Sequence, residues 1–158
     1  ERRGARNDEY IEAMRALWQG PHAEYHGEFV DFEPATCSPR PVNGSIPVIV
    51  GGDSEAALQR AVNTADGYFP GEGDFAQLSA LLERLRNKAT EAGRDPASID
   101  VNVMFGAQMM NPAEGVEQMA SIGVDRIMIP AFFFAGPEGL DRLSLLREQI
   151  IPIANEVG

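Results

Sequence analysis

The chain has 158 residues, 44% of them hydrophobic and 23% charged, which fits one globular domain with a substantial core and excludes disordered and fibrous classes. Its formal net charge of −11, from 13 Lys and Arg against 24 Asp and Glu without a basic cluster, argues against nucleic-acid and anionic-membrane partners, which need clustered cations. A single cysteine, Cys37, leaves no internal disulfide and no thiolate zinc site, and a reducing, cytoplasmic setting is expected.

The opening run Glu1-Arg2-Arg3-Gly4-Ala5-Arg6 lacks both a starting Met and the apolar core of a signal peptide, so the expectation is a chain processed from, or lying within, a longer one. From Asp8 to Trp18, the residues Tyr10, Ile11, Met14, Leu17 and Trp18 recur at helical spacing. They predict an amphipathic helix within residues 5–20, ended by Gly20-Pro21. Residues 21–45 read as an irregular insertion with Pro34, Pro39 and Pro41, in which Tyr25, Phe29 and Phe32 pin a short hairpin or an extended flap.

Four strand–helix units follow over residues 46–158. Pro47-Val48-Ile49-Val50 is a β-branched run expected to be buried on both faces, and Gly51-Gly52 leads into a helix from Ser54 to Ala65. Asp66 to Pro70 is a second strand, followed by a helix carrying Phe75, Leu78, Leu82, Leu85, Ala89 and Ala92 up to Gly93. Ile99, Val101, Val103 and Phe105 alternate as a third strand, and Asn111-Pro112 opens a helix with Val116, Met119 and Ala120, closed by Gly123. Arg126 to Ile129 is the fourth strand; Leu140, Leu143, Leu146, Ile150 and Ile153 mark the last helix, with a kink expected at Pro152. The longest apolar stretch, residues 127–135, is interrupted by Pro130 and is far short of the roughly 20 residues of a spanning helix.

This alternation calls for an α/β fold with parallel strands joined by right-handed crossovers. Four units are half of the eight that close a β/α barrel. The expectation is one domain, a half barrel with two open edges and an apolar inner face. It would be completed by a missing half, a second copy or another chain.

Gly51-Gly52-Asp53-Ser54 stands where a buried strand gives way to a helix. Such a turn lets backbone N–H groups approach an anion beside the positive end of the helix, and it equally serves as a tight turn needing glycine for steric reasons. Either Asp53 or Ser54 can cap the helix, and Asp53 suits a phosphate only if its carboxylate turns away toward that cap. His22 and His26, interleaved with Glu24 and Glu28 on a loop, lack a scaffold of defined geometry, and no metal is assigned. Glu72 and Asp74 follow the second strand, a position that faces the catalytic end of a barrel; a solvated loop pair is the plainer reading. Met109, Met110, Phe132, Phe133 and Phe134 lie just past strands three and four, where they line an apolar pocket mouth or a packing interface.

Several stretches, taken in order, resemble the bacterial luciferase-like flavin and deazaflavin oxidoreductases. Arg6-Asn7-Asp8-Glu9-Tyr10-Ile11-Glu12-Ala13-Met14-Arg15-Ala16-Leu17-Trp18 resembles the family's mid-chain helix, and Tyr25-His26-Gly27-Glu28-Phe29-Val30 the insertion after it. Pro39-Arg40-Pro41-Val42 and Ile46-Pro47-Val48-Ile49-Val50-Gly51-Gly52 resemble its proline-flanked strand and glycine turn. Ala56-Ala57-Leu58 with Arg60, Ala65-Asp66-Gly67-Tyr68-Phe69-Pro70 and Gly93-Arg94-Asp95-Pro96 continue the series. The resemblance implies the C-terminal half, strands five to eight, of a (β/α)8 TIM barrel. By it, Gly51 and Gly52, with Asp53 and Ser54, contact the phosphate of a cofactor. Phe69, Met109, Phe132 and Phe133 are the substrate-pocket candidates, and no catalytic residue is assigned.

The implied parent reaction is hydride transfer between coenzyme F420 and an organic small molecule, with an FMN-dependent monooxygenase as the alternative. The family's strands one to four have no counterpart here, so the chain alone is expected to lack independent catalysis. A rival from another class is a non-catalytic half barrel that acts through homo-oligomerisation.

Overall fold

A computed structural model describes residues 2–71 and 73–157. Helix α1 (Arg2–Gln19) opens the chain and carries the antiparallel hairpin β1 (Ala23–His26) and β2 (Asp31–Ala35). The helix begins earlier than the apolar stripe announces, because its first turns are polar and bind laterally: Arg60 pairs with Asp8, and Arg2 with Glu28. Of the two forms open to the insertion, the structure has the hairpin, with Tyr25 stacked on Phe32 at 6.2 Å. Phe29 lies outside the pairing, beneath the guanidinium groups of Arg2 and Arg6 at 5.0 and 5.2 Å.

The rest is one parallel sheet in the order β3 (Ile49–Gly51), β4 (Gly67–Phe69), β5 (Asp100–Met104), β6 (Arg126–Met128). Its connections are α2 (Glu55–Thr64), α3 (Phe75–Glu91) and α4 (Pro112–Ser121), and α5 (Gly139–Val157) follows β6 and packs on α4. Strand order therefore equals chain order, the progression of a barrel wall. The apolar stripes of the helices meet one face of the sheet. Val50, Tyr68, Val101, Val103 and Phe105 are buried there against Leu58, Ala61, Leu78, Leu82, Leu85, Val116 and Met119. Alternation along each strand turns the neighbouring residues to the other face.

On that second face the expectation for the first strand fails. Val50 is buried, but Ile49 is 37% exposed, and Met104 and Met128, opposite each other in register, are 49% and 48% exposed. A run buried on both faces needs a layer on each side, and among the described residues helices pack on one side of this sheet. The same inner face carries Asp100 and Arg126, paired at 3.1 Å, and Asn102, whose amide donates to the Asp100 carbonyl at 2.9 Å.

Candidate functional site

The glycine turn forms where β3 leaves the sheet. Gly51 pairs with Phe69 in register, and the Gly52 N–H donates to the Phe69 carbonyl at 3.1 Å, so β4 holds the turn from beside. Gly52 has φ +110°, a backbone conformation that L side chains rarely adopt. Gly51 has a different need: a Cβ there would stand 3.3 Å from the Phe69 carbonyl oxygen.

Ser54, not Asp53, caps α2, its hydroxyl accepting from the Ala57 N–H at 3.2 Å. Asp53 turns instead to the next loop, where Oδ1 accepts from the Gly71 N–H at 2.8 Å. Sequence spacing offers no signal for that contact, since its partner is 18 positions away. Glu55, in the first turn of α2, is drawn to α3 by Lys88 and by Arg84 at 2.7 Å. The Lys88 ammonium first, and then the Arg84 guanidinium, hold its carboxyl below the usual carboxylate range.

The Gly52 N–H, spent on Phe69, is not available to an anion. Among the described residues, the N–H groups of Asp53, Ser54, Glu55 and Ala56 have no protein partner, the ordinary orphan donors of a helix start. One hydroxyl orients the first of them. Tyr68, fully buried, donates to the Gly52 carbonyl at 2.8 Å. In a planar trans peptide the carbonyl and the following N–H point opposite ways, so this bond turns the Asp53 N–H away from the helix layer. Burial, then the Asp53 charge, push the Tyr68 phenol up to about 12, against the opposing pull of Arg84; it remains a donor across the physiological range. Four N–H groups beside two side-chain-free positions, with both nearby carboxylates engaged elsewhere, fit a phosphate.

The four pocket candidates do not come together. Met109 and Phe133 line one cleft of about 700 Å³, between the start of α4 and α5, with Phe134, Arg142, Leu145, Leu146 and Gln149. Phe132 stacks on Phe133 at 4.7 Å but stands 70% exposed outside that wall. Phe69 lies on β4 beside Gly51, on the inner face. The wall residues that sequence reasoning missed carry a readable signal: 142, 145, 146 and 149 are spaced i, i+3, i+4 and i+7, one face of a helix. Asp74 caps α3 by accepting from the Gln77 N–H at 3.0 Å, and Glu72 lies outside the described residues. His26 bonds Asp31 at 2.6 Å across the hairpin, and no metal-binding group of three or more His, Cys, Asp or Glu occurs among the described residues. No helix among them is long and apolar enough to cross a membrane.

The chain is 37% identical to an uncharacterized protein of Mycobacterium tuberculosis over 129 residues, 81% of this chain and 43% of that protein. It is 31% identical to an FMNH2-dependent dimethylsulfone monooxygenase of Pseudomonas putida over 109 residues, 68% of this chain and 30% of that one. It thus spans less than half the length of these curated relatives. The fold is similar to that of the coenzyme F420-dependent tetrahydromethanopterin reductase of Methanopyrus kandleri, with a TM-score of 0.73 and 16% identity, covering 91% of this chain and 61% of the reductase. The family model for luciferase-like monooxygenases matches residues 1–143, and the chain belongs to that family.

Proposed function

We propose that this chain is the C-terminal half of a (β/α)8 barrel oxidoreductase and that its Gly51-Gly52-Asp53-Ser54 turn holds the phosphate of coenzyme F420. When bound, that deazaflavin supplies hydride chemistry toward an organic small molecule, and the protein supplies orientation and exclusion of water. The observation that carries the reading is the row of unpartnered N–H groups from Asp53 to Ala56, next to two glycines that carry no side chain. Ser54 fixes the helix start, Tyr68 fixes the first peptide, and Gly71 and the Arg84–Lys88 pair keep the Asp53 and Glu55 carboxylates occupied. The usual barrel phosphate site lies after strands seven and eight; here it follows strand five.

The wording of α1 and of the glycine turn, which resembles the deazaflavin branch, supports F420 over other flavins. A second reading, an FMN-dependent monooxygenase, is favoured by the 31% identity to the dimethylsulfone enzyme. In either case the catalytic groups belong to parts of the barrel outside this stretch, which alone is inactive. The inner face, with Ile49, Met104 and Met128 exposed, is completed by that other half or by a second copy, in a cytoplasmic protein. Calorimetric titration of the full-length protein with F420 and FMN decides between the readings. F420 is expected to bind the more tightly; FMN binding with oxygen consumption and no F420 binding would overturn the choice.

A further inference from the structure

The cleft between α4 and α5 differs in chemistry from the molecule around it. The chain holds 24 acidic side chains against 13 Lys and Arg, yet no residue lining this cleft is acidic and its one charged wall residue is Arg142. Met109, Phe133, Phe134 and Leu145 make the walls beside it apolar. About 700 Å³ falls within the range of small-molecule sites, which pair a mostly apolar lining with a few placed polar groups.

Arg142 is held in place without being used up. Its guanidinium donates to the Phe133 carbonyl at 3.3 Å and to Glu138 at 3.1 Å, and a guanidinium carries five N–H donors. Nη1 and Nη2 each spend one N–H on these partners, which leaves three N–H donors for an anionic oxygen. Glu138 offsets the guanidinium charge, so a ligand group is held there mainly by the free N–H donors, and a dianion meets repulsion.

We propose that this cleft binds a small apolar molecule ending in a single carboxylate, its chain among Met109, Phe133 and Leu145 and its carboxylate on Arg142. The site is separate from the glycine turn and does not depend on which cofactor lies there. The probes are decanoate, decanol and decyltrimethylammonium, titrated into the full-length protein without cofactor and followed by the methionine methyl resonances. Decanoate is expected to bind about tenfold more tightly than decanol, with the cation weakest, and to shift Met109. Arg142→Gln should bring decanoate to within about twofold of decanol and leave decanol unchanged. Arg142 is half exposed, which favours folding of that variant; Arg142→Lys keeps the charge, and the wild-type comparison stands without either. Decanol binding as tightly as decanoate in the wild type, or shifts confined to Met104 and Met128 on the inner face, would overturn the proposal.

Discussion

Gly52 and Ser54 act on the same turn by different means, and their substitution separates them. Gly52→Ala forces a Cβ onto a residue at φ +110°, a strain of about 1–3 kcal/mol. Ser54→Ala removes the acceptor of the Ala57 N–H, about 0.5–2 kcal/mol for a lost cap. Urea denaturation should rank both below the wild type. A Gly52→Ala protein as stable as the wild type would contradict a positive φ at that position. His26 provides a residue-scale test in pH. Its hydrogen bond to Asp31 raises its pKa against the smaller opposing effect of desolvation, with Asp31, Glu33 and Glu24 adding attraction. A folded-state pKa above the unfolded value means that the pair stabilises the hairpin fully below about pH 6.5. That contribution fades as pH rises through the raised value. NMR titration should show the His26 pKa falling in Asp31→Asn; an unmoved midpoint would mean that the pair is absent in solution.

At the scale of elements, what the sequence announced depended on where the partner of each residue lies. The third strand was legible because Ile99, Val101, Val103 and Phe105 all face one helix layer and are all buried. Helices α2 and α3 were legible from their apolar stripes; the α2 cap was narrowed to Asp53 or Ser54, while Asp74, read as a loop residue, is the cap of α3. The hairpin was legible only as one of two forms, its strands without bounds, since Ala23–His26 and Asp31–Ala35 are half-exposed, and β2 contains Pro34. What holds the hairpin is tertiary: the Glu9 carboxylate accepts from the Phe29 and Val30 N–H groups at 2.6 and 2.7 Å, and Tyr25 donates to Glu12 at 2.9 Å. Glu9→Ala orphans two part-buried donors, a loss of about 1–3 kcal/mol felt by the hairpin. Amide exchange at Phe29 and Val30 should rise while that of β5 stays as it is; equal rates in both proteins would show that α1 does not clamp the hairpin. The site was legible in the same partial way: the glycine turn was plain, but the Gly71 contact of Asp53 and the hydroxyl of Tyr68 come from other strands and loops.

Among the described residues, helices cover one face of the sheet. Its inner face exposes Ile49, Met104 and Met128, and α5 exposes Leu140, Leu143 and Ile151 besides the Leu146 and Ile150 it buries, so both sides of that helix are apolar. Barrel completion predicts a sharp result for Met104→Asp in the full-length protein. A carboxylate enclosed there should lower stability by about 3 kcal/mol or more, whereas on a wetted face the change stays within about 0.5 kcal/mol. Either value is read from urea denaturation, and the small one would contradict completion.

The central claim concerns the phosphate at the turn, and amide spectra of the full-length protein test it most directly. FMN is compared with riboflavin, and F420 with its dephosphorylated form, so that each pair differs only in the groups from the phosphate outward. The phosphorylated member of a pair should bind more tightly and shift the Asp53, Ser54, Glu55 and Ala56 amides, with Gly52, bonded to Phe69, moving less. Equal binding of both members, or shifts that leave residues 53–56 untouched, would contradict a phosphate seated on this turn.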